Sequence, residues 1–161
     1  MIVFRPTRSF AYSHPAHVIA FGFGTGLARV APGTFGTLLA WPFGWLLGGV
    51  HAAAVFSALA VLFLLGVWAC GRTGRDLGIH DHGAMVWDEF VAFLLVLAIL
   101  PGELGWQAAG FVLFRAFDIA KPPPIRWFER RYQGGFGAMF DDILAAGYTL
   151  IVLALVKRLF F

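Results

Sequence analysis

Five apolar runs, at about 36–50, 52–70, 87–100, 105–119 and 142–160, take up most of this 161-residue chain. Such runs constrain the fold more than any motif does. Backbone N–H and C=O groups placed in hydrocarbon find no water, so each run must close its hydrogen bonds internally as a helix. Composition agrees: 60% of the residues are hydrophobic and 13% charged, against roughly 25% charged in a soluble domain. The expectation is an all-α fold, a polytopic integral membrane helical bundle with about five transmembrane helices. Several runs fall short of the ~20 residues of a perpendicular span, so their polar ends are expected to be immersed or some runs to be re-entrant. The stretch 17–31 is interrupted by Gly22, Gly24 and Gly26. It reads as an N-terminal interfacial or re-entrant segment.

No linker, repeat or low-complexity segment divides the chain, and 1–161 is read as a single membrane-embedded domain. The opening MIVFRPTRSFAYSHPAH lacks the basic end, apolar stretch and small-residue cleavage site of a secretory signal, so it is expected to be retained. One cysteine, Cys70, excludes an internal disulfide and reads as a buried small residue. Basic residues outnumber acids twelve to nine. With no basic stripe interleaved with aromatics, that excess suits the membrane bilayer surface and argues against a nucleic-acid partner. Trp41, Trp45, Trp106 and Trp127 lie near expected helix ends, where an interfacial belt wants them.

Basic residues in short loops set the orientation. With the N-terminus in the cytoplasm, Arg5, Arg8, Arg29, Arg72, Arg75, Lys121, Arg126, Arg130 and Arg131 fall inside, and the outer turns near 48–52 and 101–105 carry no Lys or Arg. Lys157 and Arg158 run against the pattern, and their long side chains can snorkel to the outer interface.

The same topology sends every acid except Glu103 to the cytoplasmic side. Six occupy helix mouths or the loop before one: Asp81 in IHDHGAM, Asp88 and Glu89 in VWDEF, Asp118 in FRAFDIAKP, and Asp141 with Asp142 in MFDDIL. Clustered carboxylates repel unless a cation or protons neutralise them. Oxygen-only ligands point to a hard ion, and Mg2+, which takes a few carboxylates plus substrate phosphate, is the natural choice. A zinc site from His80 and His82 is weaker, because an H-x-H pair without further partners falls short of a usual zinc set. Each acid also has a plainer reading. Asp88, Glu89, Asp141 and Asp142 are expected in first helical turns, where they stabilise the dipole. Asp118, at a C-terminal end, has Arg115 and Lys121 at ion-pair spacing.

Four segments taken together carry a resemblance: GFGTGLARVAPGTFGTLLAWP (22–42), HDHGAMVWDEF (80–90), FRAFDIAKPPPIRWFERR (114–131) and GGFGAMFDDILAAG (134–147). In order and content they resemble the motifs of the bacterial phosphatidylglycerophosphatase A family. The resemblance implies a magnesium-dependent phosphatase of the bacterial inner membrane, multi-pass, with its active site facing the cytoplasm and a phospholipid substrate. Its reaction removes the terminal phosphate of phosphatidylglycerophosphate. The matching polar residues are Thr25, Thr34 and Thr37, then Asp81, Asp88 and Glu89, then Asp118 and Lys121, then Asp141 and Asp142. His82 stands where many members have proline.

On this reading Asp88, Glu89, Asp141 and Asp142 form the core of one or two magnesium sites, with Asp81 and Asp118 as further ligands or a general base. Attack by water and a covalent aspartyl-phosphate both stay open. Thr25, Thr34, Thr37 and Lys121 are the expected substrate-binding residues, Lys121 touching the headgroup phosphate. The GFGTG stretch can present backbone N–H groups to a phosphate, or its glycines can let helices pack closely. Arg126, Arg130 and Arg131 read as an interfacial anchor.

Other phosphatase chemistries fit poorly. Only four residues separate Cys70 from Arg75, one too few for a cysteine phosphatase loop, and neither D-x-D-x-T nor the D-G-x-x-A-R signature of lipid phosphotransferases is present. The rival from another class is an ion- or proton-coupled transporter, since intramembrane carboxylates also mark ion pathways. A pathway would distribute polar residues through the full depth, whereas these acids gather at one face. A non-catalytic membrane subunit ranks last, because it leaves the acid layer without a purpose.

Overall fold

The computed structural model describes residues 5–160. Residues 1–4, at the head of the segment expected to be retained, and residue 161 lie outside the described residues. The elements are α1 (Arg8–Ala11), α2 (Pro15–Ala20), a 3-10 segment (Gly22–Leu27), α3 (Pro32–Leu46), α4 (Ala52–Leu77), α5 (Trp87–Ile99), α6 (Leu104–Ala120), α7 (Ile125–Arg131) and α8 (Gly135–Phe160). The all-α expectation holds, with no strand among the described residues.

Each apolar run became one helix: α3, α4, α5, α6 or α8. The boundaries move for local reasons. α3 begins early because Pro32 occupies its first turn, where a missing N–H costs nothing. α4 runs on through Arg72 and Arg75 until Gly78 closes it in the left-handed conformation, φ 70°. α8 begins at Gly135, well before the expected 142, because Gly135 and Gly137 approach the backbone of α4 and of Tyr132 more closely than any side chain permits. Asp141 and Asp142 therefore lie well inside α8. That corrects the expectation of a first-turn role, since the dipole effect fades beyond the first turn.

α5 is the axis of the bundle. It packs against α3, α4, α6 and α8, and its buried residues, from Trp87 and Asp88 through Phe90–Leu94 to Val96 and Leu97, cover every side of the helix. A helix apolar all round belongs in such a position. Phe93 is fully buried against Trp41, Phe111 and Phe114, and truncating such a ring to alanine costs about 3–5 kcal/mol. Trp41 departs from the belt reading. Its indole N–H donates to Gln107 Oε1 at 2.7 Å and its ring stacks on Phe111, tying α3 to α6. Trp45 and Trp127 are exposed.

α4 and α8, 26 residues each, are long and apolar enough to cross a membrane. In their most apolar stretches only 28% and 22% of the residues are buried, so most of that apolar surface faces outward. Phe56, Val61, Leu64, Ile151 and Leu155 are among the exposed side chains. α3, α5 and α6, with 15, 13 and 17 residues, are shorter than a perpendicular span of ~20.

Candidate metal centre

The loop between α4 and α5 leaves α4 with Ile79 N–H donating back to Gly74 O at 3.0 Å, and it is tied to the N-terminal segment by Val86 N–H donating to Ala20 O at 2.8 Å. These bonds start α5 at Trp87, which places Asp88 and Glu89 in its first turn, where the helix dipole favours negative charge. α3 comes close to this turn because it has no side chain to hold it off. A Cβ on Gly36 would press into Val86, and a Cβ on Gly33 would overlap the Glu89 carboxylate and crowd the Arg115 guanidinium. The glycines of GTFG thus serve close helix packing.

The acids separate into two groups. In the first, Asp88, Glu89 and Asp142 each bring an oxygen within 4.8 Å of the others. Arg115, from α6, flanks this group: its Nη1 lies 3.3 Å from Glu89 Oε1 and 2.5 Å from Asp118 Oδ2. Asp118 is itself one of the charges facing Asp142. Glu89 Oε2, Asp142 Oδ2 and Arg115 Nε are buried with no hydrogen-bond partner among the described residues. An ionised carboxylate oxygen left in that state is costly, and Asp142 is only 3% exposed. A hard cation taking oxygen ligands is what such atoms fit.

The second group joins Asp81, Glu129 and Asp141 with the same closeness. Lys121 enters it, its Nζ 2.6 Å from Asp141 Oδ2 and 2.8 Å from Glu129 Oε1. Burial opposes charge on this ammonium, but the Asp141 carboxylate and the two hydrogen bonds outweigh that and hold its pKa above the ordinary lysine value. Lys121 caps α6 in the left-handed conformation, φ 43°. Glycine usually takes that place, and a side chain there costs roughly 1–2 kcal/mol. A recess of about 150 Å³ opens over this group, lined by His80, Asp81, Glu129, Tyr132, Gln133 and Asp141 among others.

The four carboxylates expected to form the core of one or two magnesium sites fall into both groups: Asp88, Glu89 and Asp142 stand together, and Asp141 belongs with Asp81. Glu129 was not anticipated, and of Arg115 only its ion pair with Asp118 was expected, not its contact with Glu89. Arg115 had a signal, a lone cation inside an apolar run, which demands a carboxylate partner. Glu129 had only its place as the single acid among the arginines of α7. The threonines are engaged locally: Thr25 Oγ1 donates to Gly22 O and Thr37 Oγ1 to Gly33 O, both at 2.9 Å, and Thr37 is fully buried. Thr34 sits half-buried in the first turn of α3. The glycine segment uses its own amides too, since Gly24 and Gly26 N–H both donate to Phe21 O. His82 Nδ1 accepts the Ala84 N–H at 3.0 Å, and both groups are carboxylate only, which favours a hard ion over zinc. Cys70 is buried, as expected.

Seven carboxylates, with Arg115 and Lys121 as the cations among them, gather at one end of an apolar helical bundle. That arrangement defines the class: a helical protein with outward apolar surface and a carboxylate centre able to take a metal ion. A family model, phosphatidylglycerophosphatase A, matches residues 18–157, and the chain belongs to that family. It is 48% identical over 152 residues to phosphatidylglycerophosphatase A of Haemophilus influenzae, covering 91% of each chain. It is 47% identical over 135 residues to phosphatidylglycerophosphatase A of Escherichia coli, covering 83% of this chain and 78% of that one. A Bacteroides thetaiotaomicron protein with the provisional description phosphatidylinositol-3-phosphatase is 38% identical over 148 residues, 87% of this chain and 92% of that one. No solved structure matches the chain significantly. The transporter alternative has no support in these findings.

Proposed function

We propose that the chain is a magnesium-dependent lipid phosphatase that converts phosphatidylglycerophosphate to phosphatidylglycerol and phosphate. The observation that carries the reading is the pair of buried, unpartnered oxygens, Glu89 Oε2 and Asp142 Oδ2, converging with Asp88 in a member of this family. Asp88, Glu89 and Asp142 would hold the ion, which when bound supplies charge neutralisation on the phosphoryl oxygens. Arg115 orients the centre, holding Glu89 and Asp118 at fixed positions. Two of the three ammonium donors of Lys121 bond carboxylates, and the third is assigned to a phosphate oxygen of the substrate. Asp81, exposed at the rim of the recess, takes the role of base for the attacking water. Thr34, beside Gly33, is the threonine retained as a headgroup contact.

The bilayer reading extends the same proposal. α3, α5 and α6 complete a five-helix span beside α4 and α8, the chain enters from the cytoplasm of a bacterial inner membrane, and the acids face that side. α2 and the 3-10 segment form the interfacial piece. Support comes from the outward apolar faces of α4 and α8. It comes also from a groove of about 310 Å³ between α4, α5 and α8, lined only by apolar side chains such as Leu59, Phe63, Leu95 and Phe140. Phosphate release from phosphatidylglycerophosphate, phosphatidic acid and phosphatidylinositol 3-phosphate, with and without magnesium, tests the reading in purified protein and in Asp88→Asn. Magnesium-dependent release from the first lipid, lost in the folded variant, is expected. Release from the phosphoinositide alone would reassign the substrate, and release from none would overturn the phosphatase.

A further inference from the structure

The second carboxylate group already contains a cation of the protein's own. Lys121 Nζ stands 2.6 Å from Asp141 Oδ2 and 2.8 Å from Glu129 Oε1, within the space that an ion bridging Asp81, Glu129 and Asp141 would need. A divalent ion binds carboxylate oxygens at roughly 2.0–2.6 Å. Placed against the same two oxygens, it would collide with the ammonium and repel it. The first group differs: Arg115 hydrogen-bonds Glu89 through Oε1, and Glu89 Oε2 and Asp142 Oδ2 are left buried without a partner among the described residues.

Resting on the cation-dependent reading above, we propose that the chain binds one divalent cation, among Asp88, Glu89 and Asp142, and that Lys121 is the resident counter-charge that keeps a second ion out of the other group. Three features fix the lysine in that role. Its distances are those of charge-assisted bonds. Its backbone is held in the left-handed cap of α6. The three prolines that follow, Pro122 to Pro124, stiffen the chain leaving the cap. A glycine or asparagine would close α6 with less strain, so the lysine is there for its side chain. The consequence for the reaction is a division of labour: one metal ion and one fixed ammonium flank the phosphoryl group, where other phosphatases place two metals.

Ion counting separates the possibilities. Manganese serves as the probe, titrated calorimetrically into detergent-purified protein. One ion is expected in the native chain, one in Lys121→Arg and two in Lys121→Met, with circular dichroism confirming that each variant is folded. Two ions in the native chain, or one in folded Lys121→Met, would overturn the proposal. No ion in the native chain overturns the cofactor reading itself, a failure recognised independently by lipid hydrolysis that persists in chelator. Should Lys121→Met not fold, the electron paramagnetic resonance of manganese in saturated native protein decides. An uncoupled single-ion spectrum supports the proposal, and the spectrum of a spin-coupled pair sinks it.

Discussion

Asp141 and Asp142 are neighbours in the chain yet belong to different groups: Asp141 Oδ2 meets Lys121 Nζ at 2.6 Å, whereas Asp142 Oδ2 is buried near Asp88 and Glu89 without a partner among the described residues. Successive helix residues point about 100° apart, and here that angle divides one sequence motif between two charge environments. The two residues should not respond alike to substitution.

Asp142→Asn is expected to keep the fold, since the amide is isosteric, and to lose cation affinity together with at least ~100-fold in phosphate release, more than an outer-shell change costs. Asp141→Asn should leave cation affinity nearly native. Manganese titration of both variants, alongside the lipid assay, checks the contrast. Equal affinity losses would mean that the two acids share one site.

Arg115→Met removes the one ion-pair partner that Glu89 and Asp118 have among the described residues, each of them largely buried. Breaking such a pair from one side costs about 3–5 kcal/mol. A large fall in thermal stability in detergent is expected. Adding Glu89→Gln to Arg115→Met should recover part of it, because the stranded charge is gone. A double variant no more stable than the single one would show that the charges do not couple.

Gly33→Ala and Gly36→Ala test the close approach of α3 to α5. The methyl at Gly36 meets Val86, including its backbone O at 2.8 Å, and overpacking of this kind costs roughly 1–3 kcal/mol. The methyl at Gly33 meets the Glu89 carboxylate, so its effect should fall more on cation affinity and activity than on melting temperature. Reversed effects would place Glu89 outside the metal centre.

Lys121 predicts an alkaline limit. Its folded pKa is raised above the ordinary ~10.4 of a lysine, so its contribution to stability is fully present below that value and is lost as pH rises through the folded one. The stability difference between the native chain and Lys121→Met should stay level from about pH 6 to about pH 10 and shrink above that. Unfolding midpoints measured across this range decide. A difference that disappears below pH 10 would mean that the ammonium is not held by Asp141 and Glu129.

The helices were legible because hydrocarbon-grade runs have one way to satisfy their backbone, and the acid layer was legible because carboxylates are rare in such runs. What remained out of reach depended on angles. Reading Asp141 and Asp142 as a first-turn pair missed the two glycines that let α8 start at Gly135, and with them the rotation that parts the two acids. α7 was hidden by its charge: IRWFERR reads as a basic loop, yet it places Glu129 against Lys121 across a turn of prolines. Trp41 looked like an interfacial anchor until Gln107, far away in sequence, supplied its acceptor.

The length of α5 has its own consequence. Thirteen residues rise about 20 Å, against a hydrocarbon layer of about 30 Å. A lipid-facing helix so short would thin the bilayer around it or tilt its neighbours. In the proposed bilayer arrangement α5 escapes that mismatch because it is wrapped by four other helices, and α4 and α8, twice its length, present the surface that lipid would meet. In that arrangement its acid-bearing end is therefore free to stop short of the plane of the headgroups. On that reading a phosphate meeting the cation that Glu89 and Asp142 would hold has left the watery interface, and its attraction to the ion is strengthened by the low dielectric around it.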